Sequence, residues 1–220
     1  MLYIVSTPIG NLEDITLRAI RTLKEVDLIA AEDTRHTGKL LKYYDITTAQ
    51  TSYHEHNKVL KTASLIKELN SGMNIALVSD AGTPGVSDPG FYLLREALRN
   101  SIEVTTIPGP TAFVSALLLS GMPVDQFQFI GFLPPKLGKK KTKLETFKNY
   151  NKTIIAYESP YKIVKTLQAM QEVYGDIDIC LCRELTKLHE EVLTKPISAW
   201  LLYYQEKIPK GEFVLLFVPY

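Results

Sequence analysis

The stretch NIALV-SDAGTPGVSDPG, residues 74–90, decides the fold class that we predict for this chain. Residues 74–78 contain four consecutive apolar side chains after Asn74, which is typical of a strand buried on both faces. The next twelve residues hold three glycines and two prolines, so they predict a rigid turn with few bulky side chains. A plain strand-to-helix connector, capped by Ser87 or Asp88, needs fewer such residues. We therefore interpret residues 79–90, hereafter the glycine loop, as a ligand-binding loop.

Short β-branched runs alternate with amphipathic stretches on both sides of this segment. Such alternation favours an α/β fold with a wound, largely parallel sheet. The predicted strands are 2–5, 27–31, 74–78 and 102–107, and the predicted helices are 15–24, 58–70, 92–99 and 111–120.

The pattern changes after residues 121–123, where Gly-Met-Pro interrupts the last of these helices. We therefore predict an N-terminal α/β domain over 1–121 and a C-terminal α/β domain over 122–220. Residues 134–143, PPKLGKKKTK, are predicted to be a flexible basic loop. The other predicted elements are strands 127–133, 153–157, 177–182 and 212–218, with helices near 163–173 and 197–206.

Four loops are expected at one edge of the N-terminal sheet, because each follows a predicted parallel strand. Ligands of open α/β sheets bind in the crevice at the carboxyl ends of the strands. Since all four loops are rich in small or turn-forming residues, they predict a pocket. They are STPIGNL (6–12), AEDTRHT (31–37), the glycine loop and PGPTA (108–112).

The composition is that of a soluble globular protein, with 220 residues, 45% hydrophobic, 22% charged and a formal net charge of +1. Because the net charge is near neutral, the protein is not basic over its whole surface, so any binding of nucleic acid would use a local basic patch. The longest nearly apolar stretch, 112–124, is too short to span a bilayer. Neither G-x-G-x-x-G nor a Walker A sequence is present, which disfavours dehydrogenases that bind nicotinamide cofactors and nucleotide triphosphatases.

The cysteines and the N-terminus predict a cytoplasmic protein. Cys180 and Cys182 are two residues apart and are expected to pack in a strand as reduced side chains. The N-terminus lacks the basic region of a secretory signal, so we expect no export.

Seven segments resemble, in the same order, those of the ribosomal RNA small-subunit methyltransferase I family of the tetrapyrrole methylase superfamily. They are TPIGNL, AEDTRHT, the glycine loop, PGPTA, YESP (157–160), RELTK (183–187) and KGE (210–212). The resemblance covers essentially the whole chain. It implies two α/β domains, the first with a mainly parallel sheet and the second with a mixed sheet, and S-adenosylmethionine in the cleft between them. It also implies a homodimer that methylates the ribose 2′-hydroxyl of a cytidine in the decoding region of 16S rRNA, within the 30S subunit.

The resemblance also implies which residues contact the cofactor. Backbone groups of the glycine loop would face the methionine portion, and Ala112 and Leu185 would give apolar surface to adenine. The implied contacts are Pro8, Asp80, Ala81, Gly82, Thr83, Val86, Thr111, Ala112, Tyr157, Glu158, Leu185 and Gly211.

Two carboxylates are candidates for the base that takes a proton from the attacking hydroxyl. Asp33, at the end of a predicted strand, is the first, although it could instead pair with Arg35 or cap a helix that begins at Thr34. Glu184 is the second, although a structural ion pair with Lys187 or Arg183 would also explain it.

Lysines after Pro134-Pro135 are predicted to bind RNA phosphates, with help from the first domain. The alternative is a solvated charged face. The candidates are Lys136, Lys139, Lys140, Lys141 and Lys143, together with Arg35, His36 and Lys39.

His54 and His56 in YHEHN lack a third ligand at motif spacing, so we predict no metal site there. We expect them to contact RNA or a neighbouring subunit instead.

Two other functions remain open from the sequence. A methyltransferase of a small tetrapyrrole would use the same glycine loop, but the basic segment and the AEDTRHT and RELTK motifs argue against it. An RNA-binding assembly factor without chemistry would not bind S-adenosylmethionine, so one titration separates it from both enzymes.

Overall fold

A computed structural model describes residues 1–219 of the chain. The chain divides into two compact units, Met1–Thr111 and Ala112–Tyr220. This division precedes the predicted boundary at 121/122, because helix α5 (Ala112–Ser120) packs on the sheet of the second unit. No helix within residues 1–219 combines the length and the apolar character that crossing a membrane requires.

The first unit contains one sheet of five parallel strands, in the spatial order β3-β2-β4-β1-β5. Parallel strands need crossovers, and a helix lies in each of the four crossovers here, so the carboxyl ends of all five strands lie at one edge. The strands are β1 (Leu2–Val5), β2 (Leu28–Ala31), β3 (Gln50–Ser52), β4 (Ile75–Val78) and β5 (Val104–Ile107).

Strand β4 is buried along its whole length because helices cover both faces of the sheet. Ile75 and Leu77 pack in a core with residues of two helices, α3 (Lys58–Asn70) and α4 (Gly90–Arg99). The alternate residues, Ala76 and Val78, pack in a second core with residues of α1 (Leu17–Glu25) and α2 (Thr34–Tyr43). Period-two alternation thus explains why the whole run is apolar.

The second unit contains a mixed sheet with the order β6-β7-β10-β8-β9. Strands β6 and β7 pair in parallel, and the other three pairs are antiparallel. The strands are β6 (Phe127–Phe132), β7 (Thr153–Glu158), β8 (Asp178–Arg183), β9 (Glu191–Pro196) and β10 (Phe213–Phe217).

Helices cover both faces of this sheet as well. Leu144, Leu167 and Trp200 are buried in one core with inward residues of β7, β8 and β10. They belong to α6 (Leu137–Glu145), α7 (Ile163–Tyr174) and α8 (Ile197–Glu206). On the other face, the Cys182 Sγ lies 3.9 Å from the carbonyl oxygen of Ala116 in α5, and both cysteines are free and buried.

The predicted strands and helices are confirmed, with ends that differ by no more than two residues. Helix α2, strand β3 and strand β9 were not predicted. The prediction of a basic loop at 134–143 is wrong, because residues 137–145 form α6. Lysine is a good helix former, and the buried side chains of Leu144 and Phe147 anchor this helix to the core.

Candidate functional site

The loops after β1 and β4 are joined at the carboxyl edge of the first sheet. Thr7 and Gly82 exchange two backbone hydrogen bonds, with N···O distances of 2.9 and 3.0 Å. The Thr7 hydroxyl also donates to the carbonyl oxygen of Ser79 at 3.1 Å. The glycine loop is therefore held against the STPIGNL loop, in which Pro8 is buried.

Three hydroxyl groups connect the glycine loop to the loops after β1 and β5. Thr83 Oγ1 lies 3.0 Å from Ser6 Oγ and 2.8 Å from Thr111 Oγ1. Because each of these side chains comes from a different loop, the contacts fix the three loops relative to one another. Three of the four loops predicted to form a pocket thus meet through direct contacts.

The start of the glycine loop fits a ligand that binds through main-chain groups. Gly82 is buried with a φ of +82°, a conformation that residues with a side chain rarely adopt. Within residues 1–219, the N–H groups of Ala81 and Thr83 on either side of it donate to no protein acceptor. Such N–H groups around a positive-φ residue suit an anionic ligand group such as a carboxylate.

Asp88 shapes the other end of the glycine loop. Its Oδ1 accepts hydrogen bonds from the backbone N–H groups of Gly85 and Gly90, both at 2.7 Å. Burial raises the pKa of this carboxyl, against the lowering effect of those two bonds. Asp88 rather than Ser87 therefore closes the turn before α4, while the N–H of Val86 donates to Thr83 within the loop.

The segment after β2 is tied to the glycine loop through Asp80. The Asp33 N–H donates to Asp80 Oδ1 at 3.0 Å, and the Asp80 N–H donates to Glu32 Oε2 at 3.4 Å. Strands β2 and β4 are neighbours, so the residues that follow them leave the sheet side by side. The AEDTRHT segment thus lies at the same edge as the glycine loop, as predicted, although α2 begins within it.

The carboxylate of Asp33 is occupied by structural contacts. It caps α2 by accepting from the Arg35 N–H at 2.8 Å, and it receives the Arg35 guanidinium at 3.1 and 2.8 Å. These hydrogen bonds hold the pKa of Asp33 well below its usual range. Asp33 therefore makes the helix cap and the ion pair that were the alternative to a role as general base. A carboxylate with so low a pKa is a weak base.

Glu32 is the carboxylate at this edge that sequence reasoning missed. Burial raises its pKa; the Asp80 N–H lowers it, the charges of Asp80 and Asp88 raise it, and His54 lowers it. Together, these effects raise the pKa of Glu32 above its usual value. Its position immediately after β2 could have indicated it, but the sequence analysis selected the next residue, Asp33, instead.

In the second unit, the predicted cofactor residues of β7, β8 and β10 collect at one edge of the sheet. Tyr157 and Glu158 end β7, Leu185 follows β8, and Gly211 precedes β10. The register pairs Phe213 with both Glu158 and Arg183, which explains the convergence. Ala112, the remaining prediction in this unit, is the first residue of α5.

Glu158 is not free to bind a ligand through its side chain. Its Oε2 accepts from Lys140 at 3.0 Å and from Thr166 at 2.5 Å, and its Oε1 accepts from the Ser159 N–H at 2.8 Å. Lys140 also donates to Thr166. Lys140 is thus a buried partner of Glu158, which corrects its assignment to an exposed phosphate-binding group.

Glu184 also makes structural contacts. Its Oε1 accepts from Lys187 at 3.0 Å and from the Glu212 N–H at 2.9 Å. Burial pushes the pKa of Glu184 upward, but these hydrogen bonds and the charges of Lys187 and Arg183 outweigh it, so the pKa is lowered. Gly211 permits this arrangement, because a Cβ there would lie 2.5 Å from Glu184 Cγ.

Three of the five lysines at 136–143 remain exposed without an ion pair in the described residues. Lys139 and Lys143 are spaced at i and i+4, so they lie along one side of α6, and Lys136 precedes the first residue of that helix. Lys141 pairs with Glu172. In the first unit, Arg35 pairs with Asp33, and His36 and Lys39 are exposed on α2.

His54 and His56 follow β3, and their ring centroids are 6.0 Å apart. Within residues 1–219, no three side chains of the types His, Cys, Asp and Glu are grouped so that they could hold a metal ion.

Comparisons with known proteins give the family. The family model "Tetrapyrrole (Corrin/Porphyrin) Methylases" matches residues 1–200. The chain is 51% identical over 215 residues to "Ribosomal RNA small subunit methyltransferase I" of Halalkalibacterium halodurans, covering 98% of this chain and 74% of the relative. It is 49% identical over 217 residues to the protein of the same name from Synechocystis, covering 98% and 78%.

A solved structure supports the fold. The "uroporphyrin-III-C-methyltransferase from thermus thermophilus" superimposes with a TM-score of 0.69 at 18% identity, covering 98% of this chain and 93% of that one. At this identity the likeness speaks for the α/β architecture alone. The extent and the identity of the sequence matches show that the chain belongs to the ribosomal RNA small subunit methyltransferase I family of the tetrapyrrole methylases.

Proposed function

We propose that this protein transfers a methyl group from S-adenosylmethionine to the ribose 2′-hydroxyl of a cytidine in 16S rRNA of the small ribosomal subunit. Membership of the family supports methyl transfer, and the names of its relatives support ribosomal RNA as the substrate. The single observation that carries the donor assignment is the side-chain-poor turn around Gly82, whose flanking N–H groups have no protein acceptor within residues 1–219.

The first unit binds the amino-acid end of the donor through main-chain groups of the glycine loop. S-adenosylmethionine supplies an electrophilic methyl group on a positively charged sulfur. Ala81 and Thr83 donate N–H groups to the carboxylate, and Thr7 and Ser6 hold the loop in place for them. Because the loops are fixed before binding, less ordering is needed when the reactants align.

The remaining cofactor assignments extend this proposal. Tyr157, Leu185, Gly211 and Ala112 contact the donor mainly through main-chain or apolar surface, since the neighbouring Glu158 carboxylate is engaged with Lys140. Burial raises the pKa of Tyr157, so this phenol stays neutral and serves as a hydrogen-bonding and packing group.

The exposed side of α6 provides the RNA contact. Lys136, Lys139 and Lys143, hereafter the lysine ridge, place one cation at the start of this helix and two along one side of it, and phosphate neutralisation by such groups dominates affinity for nucleic acids. His36 and Lys39 on α2 add exposed basic or hydrogen-bonding groups in the first unit.

A cytoplasmic homodimer completes the proposal, since ribosomal subunits are assembled in the cytoplasm. Light scattering coupled to size-exclusion chromatography measures the mass of the assembly. A mass of twice 24.8 kDa is expected, and a monomer at working concentrations contradicts the dimer alone.

The test combines binding with product mapping. Calorimetry measures the affinity of the purified protein for S-adenosylmethionine, and labelled donor is then supplied with small subunits from a strain that lacks the gene. Mass spectrometry of the labelled fragment is expected to find the methyl group on a cytidine ribose. Binding without transfer to subunits favours a small-molecule methyltransferase, absence of binding favours an assembly factor, and a methylated base overturns the ribose assignment.

A further inference from the structure

We infer that Glu32 is the general base that accepts the proton of the attacking hydroxyl, an inference that rests on the ribose methylation proposed above.

The position of Glu32 is set by the two strands that end beside it. Ala31 of β2 pairs with Val78 of β4, so Glu32 and Ser79 emerge from the sheet next to each other. The Glu32 carboxylate therefore lies against the first turn of the glycine loop, where Asp80 donates its N–H at 3.4 Å. The proposed donor site and this carboxylate thus share one peptide segment.

Glu32 also has capacity to accept a proton. Within residues 1–219 its carboxylate accepts only the long hydrogen bond from Asp80, and the residue is half-buried rather than sealed in the core. Asp33, by contrast, receives three hydrogen bonds from Arg35, two of them from its guanidinium. Among the carboxylates tied to Asp80, Glu32 is the one without a cationic hydrogen-bonding partner.

The surroundings of Glu32 favour its protonated form. The ionisable groups that face it are Asp80 and Asp88 from the glycine loop and His54 after β3. The two aspartates disfavour a further negative charge and His54 favours it, while partial burial acts with the aspartates. A carboxylate in this setting is a stronger base than one paired with arginine.

The step balances with groups already named. The hydroxyl oxygen forms a bond to the methyl carbon as the carbon–sulfur bond breaks, and sulfur keeps the electron pair of that bond, which leaves a neutral thioether. The hydroxyl proton passes to the Glu32 carboxylate and later to solvent.

The decisive experiment measures single-turnover methyl transfer to unmethylated small subunits by wild type and by Glu32→Gln. We expect the variant to lose about 100-fold or more in the transfer rate, the typical share of general-base catalysis. Its dissociation constant for S-adenosylmethionine is expected to stay within about 2-fold of wild type, because amide and carboxylate both accept the Asp80 N–H. Glu103→Gln, the same change before β5 at the opposite edge, is the matched control and keeps the rate.

The pH profile distinguishes a base from a structural residue. The wild-type rate is expected to fall toward low pH as Glu32 protonates, and this limb disappears in Glu32→Gln. Because His54 faces the same carboxylate, His54→Asn is measured as well and is expected to retain the low-pH limb. Glu32→Asp, which moves the carboxylate back by one methylene, is expected to give an intermediate rate.

The outcomes separate the inference from the proposed function. If wild type transfers methyl groups to ribose and Glu32→Gln does so within about 3-fold, the inference is wrong and the function stands. If Asp33→Asn loses the transfer rate while Glu32→Gln keeps it, the base is Asp33, and this outcome also overturns the inference about Glu32. If Glu32→Gln no longer binds S-adenosylmethionine, its role lies in donor binding and the base assignment fails. If wild type transfers nothing to ribose, the proposed function fails, and the inference fails with it.

Discussion

Lys140 Nζ lies 3.0 Å from Glu158 Oε2, and both side chains are almost fully buried, at 3% and 2% exposure. The pair joins α6 to the end of β7, and Thr166 of α7 bonds to both partners. The basic segment at 134–143, which the sequence predicted to be a flexible loop, therefore contributes most of its residues to α6, and the buried Lys140 anchors this helix to the core.

Removing Lys140 is expected to destabilise the protein strongly. Lys140→Met leaves the Glu158 carboxylate buried without its counter-ion, and breaking a buried pair in this way costs about 3–5 kcal/mol. Urea unfolding measures the loss. Lys139→Met, one residue earlier and exposed, is expected to cost less than about 0.5 kcal/mol. Equal effects of the two substitutions would contradict the buried-pair assignment.

Neutralising the lysine ridge is expected to weaken binding to small subunits without changing donor affinity. Glutamine at Lys136, Lys139 and Lys143 removes three phosphate contacts. Each contact contributes about 0.7 to the slope of the logarithm of the binding constant against the logarithm of the salt concentration, so this slope is expected to become shallower by about two. Filter binding over a range of KCl concentrations measures both the affinity and the slope.

The control for the ridge removes the same charge elsewhere. Glutamine at Lys24, Lys67 and Lys165, all exposed and on other helices, is expected to change affinity by less than about 3-fold. A similar loss in the two triple variants would show that net charge, rather than the ridge, governs binding.

Gly82→Ala is expected to weaken S-adenosylmethionine binding by about 10-fold or more. Gly72→Ala is its matched control, since Gly72 has a φ of +97° with nothing within 4 Å of an added Cβ. Both substitutions cost about 1 kcal/mol of backbone strain, but only Gly82 lies in the proposed donor site. Calorimetry measures the affinities; equal affinities in the two variants would refute main-chain binding at Gly82.

Asp33 is expected to stabilise the fold in a pH-dependent way. Arg35 lowers the pKa of Asp33 in the folded protein, so its stabilising effect is full above the pKa of the unfolded chain, about 4, and is lost as the pH falls through the folded value. The urea midpoint of Asp33→Asn should lie below that of wild type at pH 7, and the gap should narrow below about pH 4. A gap that is independent of pH would exclude the ion pair as its cause.

The sequence was most informative where local pattern and burial coincide. The alternating runs of the first unit predicted its parallel sheet and the loops at its carboxyl edge, because a strand buried on both faces must be continuously apolar. Pattern was weaker where polar residues take structural roles: α2 begins inside a predicted loop, since Asp33 caps it and Arg35 supports the cap.

The sequence alone determined the α/β class, the order of most elements, the glycine loop and the family resemblance, all of which depend on neighbours along the chain. Only the tertiary structure decided which charged groups make structural contacts that hold the fold together. Lys140 meets Glu158, and Asp80 meets both Glu32 and Asp33, across long separations in sequence. The physical reason is that the pairing and burial of a charge depend on side chains that folding brings together, and those determine whether it can act as a base, bind a phosphate or hold two elements together.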